Sequence, residues 1–434
     1  MNRIVRSAPR LEGTVVLPGD KSISQRAILL NSIAPGTAHV SNMCAGDDRS
    51  SILRCMRGLG VRITRQSQCP VNGADECFHV HGHGPDGLVE PRTMLNAGNS
   101  GTATRLVTGL LAAQPFFSVI SGDESLRSRP MHRIVGPLTR MGARIMGRGD
   151  DSLAPLAVRG GDLSGIDFVQ PVASAQVKSS LLIAGLHAEG ETAVTQPAES
   201  RDHTERMLHA MGANIEVDGL RVAVRRSTLS SIDVTVPGDI SGAAFWLVAG
   251  CIHPNARIRL KGVGINPTRT GVLQVLQAMN ANVRLDNVRE EDDEPVADIV
   301  AESSSLEGAE ISGDLIPKVI DELPALALAA SQARGKTVIR DAGELRVKES
   351  DRIAATVDGL SRLGARIEEE PDGMVIQGGG KLTGAECDSY GDHRIAMTLA
   401  IAGLVAQGET VIDGAEAAEL SYPGFWDTLD SLIQ

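Results

Sequence analysis

Hydrophobic residues dominate six segments of the chain so completely that helices formed there would have no polar face. Helices of this kind are buried inside a protein, whereas a surface helix keeps one polar side. We therefore predict six buried helices, which contain the segments SQRAILLNSIA, ATRLVTGLLAA, QVKSSLLIAGL, GAAFWLVAGCI, ELPALALAASQA and HRIAMTLAIAGLVA.

Between these segments, five amphipathic stretches end in nearly the same way. Each predicts a helix that stops at a glycine or asparagine and is followed by a strand. These two residues adopt the left-handed backbone of a helix C-cap more readily than any others. The recurrence predicts a chain built from copies of one α/β unit. The predicted stop residues are Gly60, Gly142, Gly212, Asn280 and Gly364.

A sixth copy of the unit is divided between the two ends of the sequence. FWDTLDSLI predicts a last amphipathic helix that no strands follow, whereas residues 3–17 predict strands that no helix precedes. We therefore expect the amino-terminal strands to complete the sixth unit.

A polar or glycine-rich turn precedes most of the buried helices, with the sequences PGDKS, AGNSGT, VASAQ, PGDIS and SYGDH. Helix N-termini present unbonded N–H groups and a partial positive charge, so several of them together favour an anion such as phosphate. Any one of these turns is explained as well by glycine permitting a tight bend. Five such turns in one chain favour ligand binding.

Length and composition narrow the class of protein. A chain of 434 residues is longer than one core usually supports, so we expect two domains of about 200 residues each. The net charge of -12 disfavours binding to nucleic acid or an anionic membrane. Aromatic residues form only 2% of the chain, which is too few for stacking on single-stranded nucleic acid.

The six cysteines form no CxxC pair and follow no secretory signal, so we expect reduced thiols in a cytoplasmic protein. A metal site formed by Cys77, His81 and His83 is an alternative, but FHVHGHGPDG fits a strand and turn better. The apolar segments are shorter than the roughly 20 residues of a membrane span, so we expect a soluble protein.

Several longer motifs resemble one known family along the whole chain. In order they are LPGDKSISQRAILL, LNAGNSGTATRL, RSRPM, SAQVKSSLLIAGL, SRDHTERML, IDELPALALAA, LRVKESDRI, YGDHRIAM and SYPGFW. Together they resemble the 5-enolpyruvylshikimate-3-phosphate synthase family. The forms SAQVKS, GNSGT and RDHTE resemble the second of its two bacterial sequence classes.

The resemblance implies a fold and its domains. It implies an α/β class, a two-domain inside-out α/β barrel of six βαβαββ units with parallel buried helices, the two domains meeting in a cleft. Domain 1 would be residues 18–238, and domain 2 would be residues 1–17 with 239–434. The hinge would lie near residues 17–19 and 237–240.

The resemblance also implies an activity, the transfer of the carboxyvinyl group of phosphoenolpyruvate to the 5-hydroxyl of shikimate 3-phosphate. Asp321 would be the base for that hydroxyl, and Glu349 with Lys21 would protonate the methylene carbon. Residues implied for shikimate 3-phosphate are Lys21, Ser22, Arg26, Ser174, Ala175, Gln176, Ser200, Arg201, Asp321 and Lys348. Residues implied for phosphoenolpyruvate are Lys21, Gly101, Arg129, Gln176, Arg352 and Arg394.

Ordinary structural roles stand beside these assignments. The arginines could be ion-pair partners of neighbouring acids, Ser200 could be only a helix cap, and His393 would support Arg394. Residues implied to link the domains on closure, each of which could be a local cap, are Asp48, Asn99, Arg105 and Asp239. The sequence departs from the family at Leu420, where a lysine that contacts phosphoenolpyruvate is usual.

Three rival proteins share part of this pattern. UDP-N-acetylglucosamine enolpyruvyl transferase usually carries a reactive cysteine in a loop that reads SGDESLRSRP here. RNA 3'-phosphate cyclase would need an adenylated histidine, and a catalytically inactive ligand-binding scaffold would need no paired carboxylates. We expect no cofactor, no metal, no nucleic-acid or membrane partner, and a monomer for which glyphosate is a candidate inhibitor.

Overall fold

The structure is a computed structural model that describes residues 1–44 and 46–434. Its contacts divide the chain into two compact units. The first unit contains Gly19–Val236 and Glu291–Glu294. The second unit contains Met1–Pro18, Pro237–Glu290 and Pro295–Gln434.

Helices and strands are interspersed along the chain. The helices in the described residues are α1 (Lys21–Ile33), α2 (Asp47–Gly58), α3 (Gly101–Ala112), α4 (Glu124–Ser128), α5 (His132–Met141), α6 (Arg148–Asp151), α7 (Ala175–Gly185), α8 (His203–Ala210), α9 (Ile240–Ile252), α10 (Gly271–Ala278), α11 (Ile316–Val319), α12 (Leu323–Gln332), α13 (Arg352–Arg362), α14 (His393–Gly403) and α15 (Phe425–Leu432). Short 3-10 helices cover Gly313–Leu315, Ile320–Glu322, Gly343–Val347 and Ala415–Leu420. The strands are β1 (Arg3–Arg6), β2 (Leu11–Val16), β3 (Pro35–Ser41), β4 (Arg62–Gln66), β5 (Cys77–His83), β6 (Leu95–Asn96), β7 (Phe117–Ser121), β8 (Arg144–Gly147), β9 (Leu153–Arg159), β10 (Asp167–Val169), β11 (Glu191–Thr195), β12 (Ile215–Asp218), β13 (Arg221–Arg225), β14 (Val234–Thr235), β15 (Ala256–Gly264), β16 (Asn282–Glu291), β17 (Glu294–Glu302), β18 (Glu310–Ile311), β19 (Lys336–Ile339), β20 (Arg366–Glu370), β21 (Gly373–Gln377), β22 (Glu386–Asp388) and β23 (Glu409–Asp413).

The six predicted buried helices are confirmed. They are α1, α3 and α7 in the first unit and α9, α12 and α14 in the second, and nearly all their residues are buried. In the first unit α3 packs against α1 and α7, and in the second unit α9, α12 and α14 pack against one another. Some of their polar side chains are satisfied locally: Ser32 and Thr108 each donate to the carbonyl one turn earlier.

Six sheets repeat one strand arrangement. In each sheet the first two strands are parallel and the second and third are antiparallel. The strand orders are β14-β3-β5-β4, β6-β7-β9-β8 and β10-β11-β13-β12 in the first unit, and β2-β15-β17-β16, β18-β19-β21-β20 and β22-β23-β1 in the second. In the last sheet β1 takes the third place beside β23, as expected. The expectation is wrong for the other amino-terminal strand, because β2 pairs with β15 in the first sheet of the second unit.

The predicted stop residues have the backbone that the sequence pattern requires. Their φ values are 90° at Gly60, 117° at Gly142, 79° at Gly212, 61° at Asn280 and 88° at Gly364. A residue with a Cβ is strained at these positive φ values, and asparagine tolerates them best after glycine. The helix ends could therefore be located from the sequence.

The turns before the buried helices hold side-chain caps. Asp20, Ser100, Ser174, Asp239 and Asp392 each accept a hydrogen bond from a backbone N–H in the first turn of α1, α3, α7, α9 and α14 respectively. Each cap satisfies one of the N–H groups that a helix leaves unbonded at its start. The caps thereby fix the residue at which each helix begins, and with it the positions of the side chains in the first turn.

All six cysteines are buried and unpaired. Cys77, His81 and His83 lie on β5, in agreement with the predicted strand. Within the described residues, no group of three or more His, Cys, Asp or Glu side chains has an arrangement that could hold a metal ion.

No helix of the described chain combines the length and the apolar character needed to cross a bilayer.

A buried carboxylate in the second unit gives the fold an expected dependence on pH. Asp298 accepts hydrogen bonds from Arg259, the Gly262 amide and Asn287 at 2.9 to 3.0 Å. Burial alone would raise the pKa of Asp298, but these donors lower it from 3.8 to about 2. Because the folded-state pKa is depressed, the stabilisation is present above about pH 4 and is lost as the pH falls towards about 2.

Asp298→Asn should therefore lower the melting temperature at pH 7, and the difference from the unmodified protein should shrink as the pH approaches 2. A series of thermal melts between pH 7 and pH 2 measures both. A difference that stayed constant over this range would show that the charge of Asp298 does not stabilise the fold.

Candidate active site

Lys21 and Ser22 lie at the amino end of α1. The Lys21 ammonium forms an ion pair with Asp48 at 2.6 Å, and the same carboxylate accepts a hydrogen bond from Gln25 at 3.1 Å. Gln25 also donates to Ser100, the cap of α3, at 3.1 Å. These bonds connect the first turn of α1 to the start of α3.

Arg26 lies one turn further along α1 and is only 1% exposed. Its guanidinium donates to Thr204 Oγ1 at 2.6 Å, to the Ser22 carbonyl at 2.9 Å and to Ser179 Oγ at 2.8 Å. Burial lowers the pKa of Arg26 to about 10, partly offset by nearby Glu205. Arg26 therefore carries a positive charge directly behind Ser22 while its own donors point to protein oxygens.

The amide of Gln176 is held in one orientation at the start of α7. Its Oε1 accepts a hydrogen bond from Arg105 at 2.5 Å, and its Nε2 donates to Thr102 Oγ1 at 2.9 Å. Ser174 caps the same helix, and Ala175 offers only its backbone. The first turn of α7 thus joins the first turn of α3.

Gly101 is the first residue of α3, and two arginines approach it. A Cβ added at Gly101 would lie 2.9 Å from Arg105 Nη1 and 3.5 Å from Arg129 Nη1. Arg129 itself donates to Asn99 at 2.5 Å and to Ser125 at 3.2 Å. The absence of a side chain at Gly101 allows the two guanidinium groups to approach the start of α3 closely.

Arg201 reaches Ser22, whereas Ser200 faces inward. Arg201 donates to Ser22 Oγ at 3.4 Å, and the buried Ser200 hydroxyl donates to Gln196. The interpretation of Ser200 as the cap of the following helix is wrong, because Asp202 is the residue at the N-cap of α8. The first unit therefore brings Ser22, Arg26 and Arg201 together.

In the second unit, three cations surround the carboxylate of Asp321. Asp321 lies in the 3-10 turn before α12, with Arg352 at 3.5 Å, Lys348 at 3.7 Å and Arg394 at 3.9 Å. Arg394 also donates to the backbone carbonyl of Asp321 at 2.8 Å. The cluster places three positively charged groups within 4 Å of the Asp321 carboxylate.

Arg352 forms ion pairs with the other acids of this cluster. Its guanidinium is 1% exposed and lies 2.6 Å from Glu349 and 2.7 Å from Asp392. Burial alone would lower the pKa of Arg352, but Glu349, Asp392 and Asp321 together raise it above the ordinary value. The structure therefore brings Asp321, Glu349, Lys348, Arg352 and Arg394 into one group.

His393 is buried beside Arg394. Burial, followed by the charge of Arg394, lowers the pKa of His393 to about 4, so the ring is neutral near pH 7. Leu420, which replaces the usual lysine, is 48% exposed at the end of the 3-10 helix Ala415–Leu420.

Residues expected to link the domains make local contacts within their own units. Asp48 pairs with Lys21, Asn99 donates to Asp123, and Arg105 donates to Gln176 and to the Pro130 carbonyl. Asp239 caps α9 and lies 3.4 Å from Arg269. A role in closure stays a prediction.

Some supporting residues were not identified from the sequence. Thr204 and Ser179 hold Arg26, and Asp392 holds Arg352. For Asp392 a signal existed, because it immediately precedes HR in the motif GDHR. Ser179 and Thr204 lie in the motifs SAQVKSSLLIAGL and SRDHTERML, but their contact with Arg26 had no local signal, since they are distant from Arg26 in the sequence.

The fold is that of an enolpyruvyl transferase. The enolpyruvyl transferase NikO from Streptomyces tendae superimposes with a TM-score of 0.79, covering 99% of this chain and 96% of its own, at 19% identity. EPSP synthase from Acinetobacter baumannii superimposes with a TM-score of 0.88 at 43% identity, covering 99% of this chain and 98% of its own. The predicted α/β fold class is confirmed.

A model of the family EPSP synthase (3-phosphoshikimate 1-carboxyvinyltransferase) matches residues 5–429, and the chain belongs to this family. A 3-phosphoshikimate 1-carboxyvinyltransferase from Pelotomaculum thermopropionicum is 55% identical over 98% of this chain and 97% of its own. Another, from Desulforamulus reducens, is 50% identical over the full length of both chains. The family resemblance drawn from the motifs is confirmed.

Proposed function

We propose that this protein transfers the carboxyvinyl group of phosphoenolpyruvate to the 5-hydroxyl of shikimate 3-phosphate and releases phosphate. The observation that carries the proposal is the cluster of Asp321 and Glu349 with three cations, in a chain that belongs to the EPSP synthase family. The reaction adds the hydroxyl across a double bond, so one group must accept a proton and another must donate one.

Asp321 is assigned as the base that takes the proton of the 5-hydroxyl. Glu349 and Lys21 are assigned to protonation of the methylene carbon of phosphoenolpyruvate. When phosphate leaves the resulting adduct, loss of a proton from the same carbon restores the double bond. The 2.6 Å contact with Arg352 orients the Glu349 carboxylate.

Shikimate 3-phosphate is assigned to residues of the first unit together with Asp321 and Lys348. Ser22 and Arg201 are supported by their mutual contact, and Arg26 by the charge that it places behind Ser22. Ser174, Ala175, Gln176, Ser200 and Lys21 complete this assignment. A helix start with an arginine behind it suits a phosphate group.

Phosphoenolpyruvate is assigned to arginines that can form paired hydrogen bonds with its carboxylate and phosphate. The two guanidinium groups beside Gly101, those of Arg105 and Arg129, support a negatively charged group in the first unit. The remaining residues assigned to this substrate are Lys21, Gln176, Arg352 and Arg394.

Phosphate release tests the proposal directly. Phosphoenolpyruvate with shikimate 3-phosphate should give turnover, whereas phosphoenolpyruvate with UDP-N-acetylglucosamine should give none. The first reaction should continue in a chelator such as EDTA, because lysine, arginine and helix starts can meet every substrate charge. No release with shikimate 3-phosphate would refute the activity, and activity that was lost with chelator and restored by a divalent cation would refute metal independence.

Gly101→Ala should weaken inhibition by glyphosate more than it weakens the binding of phosphoenolpyruvate. The new Cβ would lie 2.9 Å from Arg105 Nη1, the end of a flexible side chain, so the fold should tolerate it. The longer inhibitor is expected to approach this position more closely than the substrate. The half-inhibitory concentration and the KM for phosphoenolpyruvate measure the two effects, and equal increases in both would contradict the prediction.

We further propose that the protein acts as a monomer in the cytoplasm. The six unpaired, buried cysteines support a reducing compartment. Sedimentation velocity at micromolar concentration tests the monomer, and a dimer under these conditions would refute it.

A further inference from the structure

A buried ion pair lies next to the residues assigned to shikimate 3-phosphate. The ammonium of Lys178 on α7 lies 2.5 Å from the carboxylate of Glu205 on α8. The two side chains are only 1% and 7% exposed. Burying a lysine costs free energy unless a partner compensates its charge, and replacing such a pair by apolar residues is often neutral or stabilising. Stability alone therefore gives no reason for this pair.

The contacts of Lys178 and Glu205 lead to the substrate-binding residues. Lys178 donates to the backbone carbonyl of Ser200 at 3.4 Å, and the next residue, Arg201, donates to Ser22 Oγ. Glu205 directly follows Thr204, which accepts a hydrogen bond from Arg26. The second oxygen of Glu205 is buried and makes no hydrogen bond.

We propose that Lys178 and Glu205 are positioning residues for the binding of shikimate 3-phosphate: Glu205 anchors Lys178, and Lys178 holds the carbonyl of Ser200, so that Arg201 meets Ser22. Neither residue contacts the substrate. The proposal rests on the proposed function, since it concerns how the same site binds that substrate.

Three variants distinguish a positioning role of this pair from an effect of its local charge alone. Lys178→Met removes one positive charge, Glu205→Gln removes one negative charge, and the double variant keeps the net charge without leaving a buried charge unpaired. If only local charge mattered, affinity for the anionic substrate would fall in the first variant and rise in the second. Positioning predicts weaker binding in all three.

The experiment measures steady-state kinetics and melting temperature for the unmodified protein and the three variants. We expect the KM for shikimate 3-phosphate to rise about tenfold in each variant, as for loss of a charged hydrogen bond. The turnover number and the KM for phosphoenolpyruvate should change little. Calorimetric titration of shikimate 3-phosphate into the double variant should give the same loss of affinity.

A pair of changes in the second unit, Arg259→Met with Asp298→Asn, serves as the control. It removes another ion pair with a buried carboxylate, so it should lower the melting temperature without raising either KM. Variants of Lys178 and Glu205 that lost stability like the control but kept the KM would overturn the proposal. Opposite effects of Lys178→Met and Glu205→Gln on the KM would also overturn it.

Turnover of the unmodified protein shows whether the positioning role alone fails or the proposed function fails as well. Turnover in the unmodified protein with unchanged KM in the variants would overturn positioning alone. Absence of turnover in the unmodified protein would overturn both.

Discussion

Replacing Asp321 with asparagine should lower the turnover number by about 100-fold or more, the range usual for loss of a placed general base. Asparagine keeps the shape and reach of the side chain but has neither its charge nor its ability to accept the proton. Affinity for shikimate 3-phosphate should change far less. The hydrogen bond from Arg394 to the Asp321 backbone carbonyl does not depend on the side chain, so the turn should keep its geometry.

A structural role for Asp321 predicts a different result. The variant would then lose stability but show near-normal turnover in its folded fraction. Turnover number, substrate affinity and melting temperature should be measured on one preparation. Asp314→Asn is a matched control, because Asp314 is an exposed aspartate in the preceding 3-10 helix and should change none of these quantities.

Arg352→Met should destabilise the second unit by about 3 to 5 kcal/mol and abolish measurable turnover, because it leaves buried carboxylates without their partner. Arg352 lies 2.7 Å from Asp392 and 2.6 Å from Glu349, and Asp392 has no exposed side-chain surface. Burial raises the pKa of Asp392, but Arg352 overcomes this effect and keeps it below the ordinary value. The stabilisation is therefore present near neutral pH and lost as the pH falls through that lowered pKa.

Thermal melts at several pH values test this prediction. The difference in melting temperature should be largest near pH 7 and should narrow in acid, where protons neutralise the unpaired acids. Arg352→Met with Asp392→Asn should recover part of the stability. The control is Arg362→Met on the same helix, an exposed partner of Asp358 that should contribute little. Equal losses for both arginines would contradict the assigned role of burial.

Patterns that depend on neighbouring residues could be predicted from the sequence. A left-handed helix end needs glycine or asparagine at one position, and Gly142 and Asn280 show that the local rule sufficed. The buried helices could be located because an element without a polar face has no stable place at the surface. The strand Arg3–Arg6 could be assigned to the sixth unit because the other copies showed what was missing.

The immediate surroundings of the arginines could not be predicted in the same way. Arg26 was identified through its motif, but its burial depends on Ser179 and Thr204, which come from other helices. Ser200 shows that a local pattern can also mislead. A serine before a helix is a common cap, yet the chain begins α8 only after Asp202 and turns the hydroxyl inward.

The place of β1 in the last sheet determines how the chain must be assembled during its synthesis. Arg3 pairs with Ile412, so the strand leaves the ribosome long before its partner exists. At about 5 to 20 residues per second, this delay is on the order of a minute. Nearly all of the first unit is translated as one continuous segment and can fold during this time. The waiting strand is short and has an arginine at each end, a composition that discourages pairing with other nascent chains.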